Sequence, residues 1–268
     1  MKPFLKTPAV LLALGMALAL ASCEDPAGLA PADPNTLTAQ SGSRPTAQST
    51  SALSTYGNFT LDYYPSGKLR RVTNNASEYT EYTYPTGREV VASTFENKHL
   101  KTKTTYTLDP NGRCSLAHVR HFENGVLKTE RDHELVYNSD GQLVKIYDRE
   151  FPNDRDDLTY NGDGDLVRIV SYWTNGAPWR TVEFGYPAGP SLIEDKHPLN
   201  FEFLKAVDPY LTIFGKPSKH LYETLLWKTM PGNTTAFDLR FGYKLNAGGY
   251  VTERQTTGTY TQTTQYGY

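Results

Sequence analysis

Six side chains between residues 118 and 150 carry the charge and proton chemistry that a binding or catalytic site needs: His118, Arg120, Arg131, His133, Asp148 and Glu150. Aligning the strand-like runs on their turn residues sets Phe122 opposite Leu127 and His118 opposite Arg131 around Asn124-Gly125. The turn from Asn138 to Gly141 then sets Arg131 opposite Asp148 and His133 opposite Ile146. In that register the six form a polar belt on one sheet face, able to line a pocket for an anionic or polyhydroxylated ligand. An envelope hydrolase would keep its acid/base pair in the same belt. The plainer use is a solvated face with cross-strand ion pairs worth a few tenths of a kcal/mol. A slip of one residue would scatter the set onto both faces.

Other motifs carry less. His118 and His121 are three apart, so on a strand they point to opposite faces and one metal ion cannot easily take both. Asn161-Gly-Asp163-Gly-Asp165 starts like a calcium loop, but its sixth position is Leu166 and its twelfth Tyr172 instead of Gly and Glu. Turn chemistry explains it better. Gly215-Lys-Pro-Ser-Lys lacks the spacing of a phosphate loop, and no G-x-S-x-G occurs. Tyr172, Trp173 and Trp179 could stack on sugars, although cross-strand packing is the commoner use of such residues. No metal site and no cofactor is expected.

What must position these residues is a repeat. One phrase recurs: an aromatic, two to four turn residues, Gly, then alternating apolar and polar residues. It reads Tyr64-Pro-Ser-Gly67-Lys-Leu69, Tyr84-Pro-Thr-Gly87, Asp109-Pro-Asn-Gly112, Tyr137-Asn-Ser-Asp-Gly141-Gln-Leu143 and Tyr160-Asn-Gly-Asp-Gly164-Asp-Leu166. Tighter turns alternate with it at Phe122-Glu-Asn-Gly125 and Trp173-Thr-Asn-Gly176. Asn-Gly and Asp-Gly supply the positive-φ positions that hairpin loops need, and the runs between them are rich in Thr, Val, Tyr and Phe. Consecutive hairpins predict an all-β antiparallel meander that closes or half-closes into a barrel-like sheet. The pattern breaks once, near 198–215. Apolar residues at 201, 203, 204, 207, 211, 213 and 214 predict one or two short helices, with Gly215 as the C-cap, plugging a mouth or covering an edge.

The N-terminus reads as an export signal. Lys2 and Lys6 precede an apolar run from Ala9 to Ala21 that is too short to span a bilayer. Leu20-Ala21-Ser22-Cys23 then matches the lipobox pattern, which predicts cleavage after residue 22 and lipid on Cys23. Residues 23–55, almost free of large apolar side chains, are expected to be a flexible tether with a reach of about 30 Å. One domain would then run from 56 to 268. With Cys23 lipidated, Cys114 is the remaining cysteine, so no intramolecular disulfide is available and a half-buried structural thiol is expected there. The formal net charge is −2, and losing Lys2 and Lys6 with the signal makes the remainder more acidic, which gives no reason to expect nucleic acid. In one strand Val126, Lys128, Glu130, Asp132 and Glu134 alternate opposite the belt, so neither face suits hydrocarbon.

The turn phrase resembles, in a more irregular form, the tyrosine–aspartate (YD) repeats of Rhs-type proteins. Lipobox, polar tether, Tyr-x-x-x-Gly-x-Leu meander, the break ending Phe214-Gly215-x-x-Ser218-Lys219-x-Leu221 and the Tyr-rich closing strands together resemble a narrower group. That group is an uncharacterised family of Gram-negative lipoproteins with a porin-like, barrel-type antiparallel domain. The resemblance implies a fold and brings no functional residues. The expected function is a lipid-anchored, non-enzymatic binding or scaffold module of the cell envelope, at the outer membrane, with a glycan, peptide or envelope protein as partner. The alternatives are the belt hydrolase and a structural remnant of an Rhs-like shell.

Overall fold

The computed structural model describes residues 52–268. Cys23, the signal and the tether up to residue 51 lie outside the described residues. Sixteen strands follow one another. The first eight are β1 Thr55–Tyr56, β2 Phe59–Tyr63, β3 Leu69–Asn75, β4 Glu78–Thr83, β5 Glu89–Glu96, β6 His99–Leu108, β7 Cys114–Glu123 and β8 Val126–Tyr137. The second eight are β9 Leu143–Asp148, β10 Arg155–Tyr160, β11 Leu166–Tyr172, β12 Pro178–Gly185, β13 Thr224–Thr229, β14 Thr234–Leu245, β15 Val251–Gly258 and β16 Gln262–Gly267. Each pairs antiparallel with its chain neighbours, and β1 pairs with β16, Thr55 opposite Gly267, to close the barrel. Leu53, just before β1, is fully buried, so the folded body takes in residues that the sequence reading left in the tether.

The turns alternate between two mouths of the barrel. Those after β2, β6, β8, β10 and β14, at the first mouth, share one device. In the β8–β9 turn the Gly141 N–H donates to the Asn138 carbonyl (3.0 Å), and the Asn138 N–H donates to that of Gln142 (3.0 Å). Gly141 sits at φ +83°, a conformation that costs a side-chain-bearing residue roughly 1–2 kcal/mol. The same two backbone bonds recur at Tyr64–Lys68, Asp109–Arg113, Asn161–Asp165 and Asn246–Tyr250. Beside each, the strand slips by one residue, the bulge that this turn produces. Three tyrosines of the phrase have a job that spacing did not reveal: Tyr64 Oη donates to the Tyr82 carbonyl (2.9 Å), Tyr84 to Leu69 (3.0 Å) and Tyr137 to Cys114 (2.7 Å), tying turn to wall. Tyr186 and Tyr243, outside the phrase, do the same with the Leu166 and Tyr222 carbonyls (2.9 and 2.7 Å).

Alternation along the strands sends apolar residues inward, among them Tyr82, Tyr106, Ile146, Ile169 and Val182, and polar ones outward. The outer wall carries cross-strand ion pairs such as Arg71–Glu81 (3.6 Å), Arg149–Glu134 (3.0 Å) and Lys244–Glu253 (2.8 Å). A barrel in lipid has an apolar outer band and a polar lumen. Here the polarity is reversed, and the outer wall suits water.

The β12–β13 connection, residues 186–223, leaves the wall at the first mouth and folds into the lumen. Its Leu204, Val207, Leu211 and Phe214 are buried in the same core as the inward faces of strands all round the barrel. No helix forms over 198–215; a 3-10 turn at Gly189–Ser191 is the one helical element among the described residues. The expected helices fail because the segment is surrounded rather than laid on a surface. Its apolar residues face the wall on several sides, and its backbone groups bond to wall and side chains. The Cys114 N–H donates to the Ile213 carbonyl (2.7 Å), Asp156 accepts from the Lys205 N–H (3.2 Å), and Asn200 Nδ2 donates to the Asp208 and Leu211 carbonyls (both 2.7 Å). Gly215, at φ +80°, caps no helix; it lets this strap lie against the β8–β9 turn, where the Lys216 N–H donates to the Gly141 carbonyl (2.8 Å).

Candidate functional site

The belt expected on one face is split between two. Phe122 does face Leu127, but a register shift follows between His121 and Phe122, so His118 faces Asp132 instead of Arg131. That bulge moves β7 by one residue against β8 and sends His118 and Arg120 outward. The β8–β9 register differs from expectation by two residues, with His133 opposite Asp148 and Leu135 opposite Ile146. A shift of two keeps faces, so Arg131, His133 and Asp148 share the inner face. Glu150 lies beyond the end of β9, at the second mouth. Arg131 Nη1 reaches Asp148 Oδ2 (3.3 Å) and Glu150 Oε2 (3.4 Å), while Asp148 Oδ1 accepts the N–H groups of Glu150 and Phe151 (2.8 and 3.0 Å). This is a turn cap with an ion pair. On the outer wall His118 Nδ1 lies 2.6 Å from Asp132 Oδ1. Four of the six, His118, Arg131, Asp148 and Glu150, still line one surface depression of about 320 Å³, which Arg120 and His133 do not line.

Three buried carboxylates hold the strap: Asp156 and Asp208, which sequence reading passed over, and Asp165, which it assigned to turn chemistry. Asp156 accepts from the Ser171 hydroxyl and lies 3.6 Å from Arg180, whose Nη2 donates to the Phe203 carbonyl (2.8 Å). Asp165 accepts the N–H groups of Lys219 and His220 (3.0 and 2.8 Å) and pairs with His220 Nδ1 (2.9 Å). Asp208, on the strap, accepts from the Tyr82 hydroxyl (2.8 Å). Asn161 Oδ1 caps the N–H groups of Asp163 and Asp165 (3.0 and 2.9 Å), so the acidic run is a turn and a clamp. Among the described residues no group of three or more His, Cys, Asp or Glu side chains could hold a metal ion. Cys114 is fully buried with its thiol pushed up to about 12 by burial, as suits a structural thiol.

The arrangement with chemical scope lies on the other side of the lumen. Between the strap and the wall formed by β1, β2 and β13–β16 is a cavity of about 610 Å³. Gly57, Asn58 and Tyr260, from the β1–β2 and β15–β16 turns, place its opening at the second mouth. The register explains its lining: Tyr243 faces Arg254, Arg254 faces Thr264, and Tyr56 faces both Tyr266 and Phe59. The strap supplies Asp195, His197, Phe201 and Tyr222. Arg254 Nη2 donates to the Tyr56 hydroxyl (3.1 Å), but its buried Nε has no partner. Burial pushes the Asp195 carboxyl up to about 6, against the His197 N–H and the Arg254 charge that pull it down. Burial also holds the His197 imidazole below the ordinary histidine value. Such a cavity can take a small ligand, with aromatic faces for its rings and one free guanidinium for an anion. None of these residues stood out in the sequence. The available signal was Arg254 on the same strand phase as the buried Thr256, in a run of Thr and Gln too uniform to fix which phase faces in.

No family model matches the chain, and no curated protein does. Solved structures do. A porin-like protein from Bacteroides uniformis ATCC 8492 matches with TM-score 0.57 at 18% identity, over 78% of this chain and 88% of that one. A porin-like protein from Bacteroides vulgatus ATCC 8482 matches with TM-score 0.55 at 13% identity, over 80% of this chain and 99% of that one. At those identities the likeness concerns the fold alone.

Proposed function

We propose that the chain is a lipid-anchored module of the bacterial cell envelope that binds a small ligand in its barrel lumen and performs no chemistry on it. The observation that carries this reading is the lumen cavity, open at the second mouth, with an arginine left unpaired inside it. The lipobox at Leu20-Ala21-Ser22-Cys23 supports the anchor, and the porin-like neighbours, together with the resemblance to Gram-negative lipoproteins, support an envelope setting. A polar outer wall fits a barrel held beside a membrane by lipid rather than set within it. A lumen filled by the strap has no room for an enclosed protein, which weighs against an Rhs-like shell.

Two measurements test the two halves. Radiolabelled palmitate should enter the full chain in cells, and Cys23→Ala should abolish labelling and release the protein from the membrane fraction. Native mass spectrometry of the chain purified from its own membranes should show a bound small molecule. Thr264→Trp, which fills the cavity from β16, should remove it. A chain that carries nothing, and whose melting temperature no compound in a broad panel of metabolites and sugars raises, would refute the binding half.

A further inference from the structure

We infer that the lumen cavity takes a carboxylate-bearing sugar of mono- to disaccharide size, with the carboxylate on Arg254; this rests on the reading that the lumen binds a small ligand. The first support is a contrast between two inward-facing arginines, Arg180 buried and Arg254 partly buried. Arg180 is complete: Asp156 lies at 3.6 Å, Nε donates to the Ser171 hydroxyl (2.7 Å) and Nη2 to the Phe203 carbonyl. Arg254 is in no ion pair among the described residues, one Nη2 bond to Tyr56 is its hydrogen bonding, and its Nε is buried without a partner. A partly buried charge with no ion pair is costly, and the Nη1–Nη2 end of the guanidinium, where Nη1 makes no hydrogen bond, offers a carboxylate's two oxygens two N–H groups. Arg254 is also the one Lys or Arg in the cavity lining, and Asp195 lines it too. Glu202 is a second carboxylate of the lining, and one cation among two acids suits a monoanion better than a phosphate dianion.

The rest of the lining points to a sugar. Tyr56 and Tyr266 meet edge to face at 5.1 Å, and Phe241 lies 4.9 Å from Tyr222, so aromatic faces and edges meet the C–H faces of a ring. Between them Asn58, Gln262, Thr264 and His197 supply donors and acceptors. A fatty acid would bury these polar groups without partners, whereas hydroxyls satisfy them. The volume of about 610 Å³ lies inside the range of about 300–1,000 Å³ usual for ligand pockets.

The experiment is calorimetric titration of the full-length lipidated chain in detergent. The probes are glucuronic and galacturonic acids and disaccharides that contain them, with their methyl esters, their neutral parent sugars and inorganic phosphate alongside. At least one acid should bind, its ester at least tenfold more weakly, and phosphate not at all. Arg254→Gln should weaken the acid at least tenfold and bring its affinity down to that of its methyl ester. Should that variant fail to fold, Arg254→Lys makes the comparison, since it keeps the charge and loses the paired donors; it too should lower the preference of acid over ester. Equal binding of acid and ester, or an acid affinity that neither variant moves, overturns the inference. If neutral sugars or other compounds bind and Thr264→Trp blocks them, the lumen still binds a ligand and only the ligand class is wrong; if nothing binds, both readings fall.

Discussion

The Tyr82 hydroxyl, pointing inward from β4, donates at 2.8 Å to Asp208 Oδ2 on the strap, across 126 residues of sequence. Both partners are buried. The bond pins the strap to β4, while Asp156 on β10 holds it at the Lys205 N–H. Tyr82→Phe removes the donor and leaves a buried carboxylate oxygen short of a partner. The expected loss is about 1–3 kcal/mol. Urea melts should show a lower midpoint at an unchanged slope; a midpoint equal to wild type would mean that the strap does not depend on this contact.

Asp208 also gives folding a pH signature. Burial raises its carboxyl from 3.8 to about 6, against the Tyr210 N–H, the Tyr82 hydroxyl and the Leu211 N–H, which pull it down. A raised carboxyl favours the folded state below its unfolded value, and that contribution is lost as pH rises from about 4 through about 6. Asp208→Asn carries no charge and lacks this dependence. Relative to wild type the variant should therefore gain on the order of 3 kcal/mol between pH 4 and pH 7. Taking the difference between the two proteins cancels the opposing slope from His133 and His197, whose imidazoles burial holds low. Parallel stability–pH curves would show that Asp208 titrates as it does in the unfolded chain.

Two glycines of equal φ separate strain from contact. Gly67 and Gly215 lie at +79° and +80°. A Cβ on Gly67 would meet nothing within 4 Å, whereas one on Gly215 would overlap the Gly141 carbonyl oxygen and lie 2.7 Å from the Tyr137 ring. Gly67→Ala should cost about 1 kcal/mol, the left-handed penalty alone. Gly215→Ala should cost a further 1–3 kcal/mol, because the strap must move off the β8–β9 turn. Equal losses in thermal melts would show that the strap can retreat freely.

The two substitutions also mark the limit of what sequence showed. The turn at Gly67 was legible, since its chemistry is local: Pro, Ser and Gly in a row fix a hairpin wherever the chain goes. From such turns the all-β meander follows. The place of Gly215 was not legible, because its constraint is the carbonyl of Gly141, which only closure of the barrel brings near. The same boundary runs through the candidate site. The Asn124-Gly125 turn correctly set Phe122 against Leu127, yet one bulged residue beside it sent His118 and Arg131 to opposite faces. The helix expected over 198–215 failed for a related reason: spacing of Leu204, Val207, Leu211 and Phe214 signals burial, and burial inside a barrel needs no helical stripe. Arg254 went unread because Thr and Gln beside it are neutral between inside and outside.

The cavity's own acid predicts how binding varies with pH. Asp195 shares the lumen with Arg254, and its carboxyl is pushed up to about 6 by burial. The groups around it are Arg254 on β15, His197 and Tyr222 on the strap, Tyr243 on β14, Tyr266 on β16 and Tyr268 after it. Above pH 6 Asp195 is charged and opposes an incoming carboxylate. Below it the proton removes that repulsion, while a sugar acid with an ordinary carboxyl stays ionised and Arg254 stays protonated. Further acidification protonates His197, which adds attraction of the same sign. Affinity for a uronic acid should therefore rise several-fold from pH 7.5 to pH 5.5, while that for its methyl ester stays flat. Asp195→Asn should bind the acid at pH 7.5 as tightly as wild type does at pH 5.5 and lose most of the dependence. An acid affinity that is flat or drops on going from pH 7.5 to pH 5.5 in wild type, or an unchanged profile in Asp195→Asn, would mean that the ligand's carboxylate does not sit near this pair.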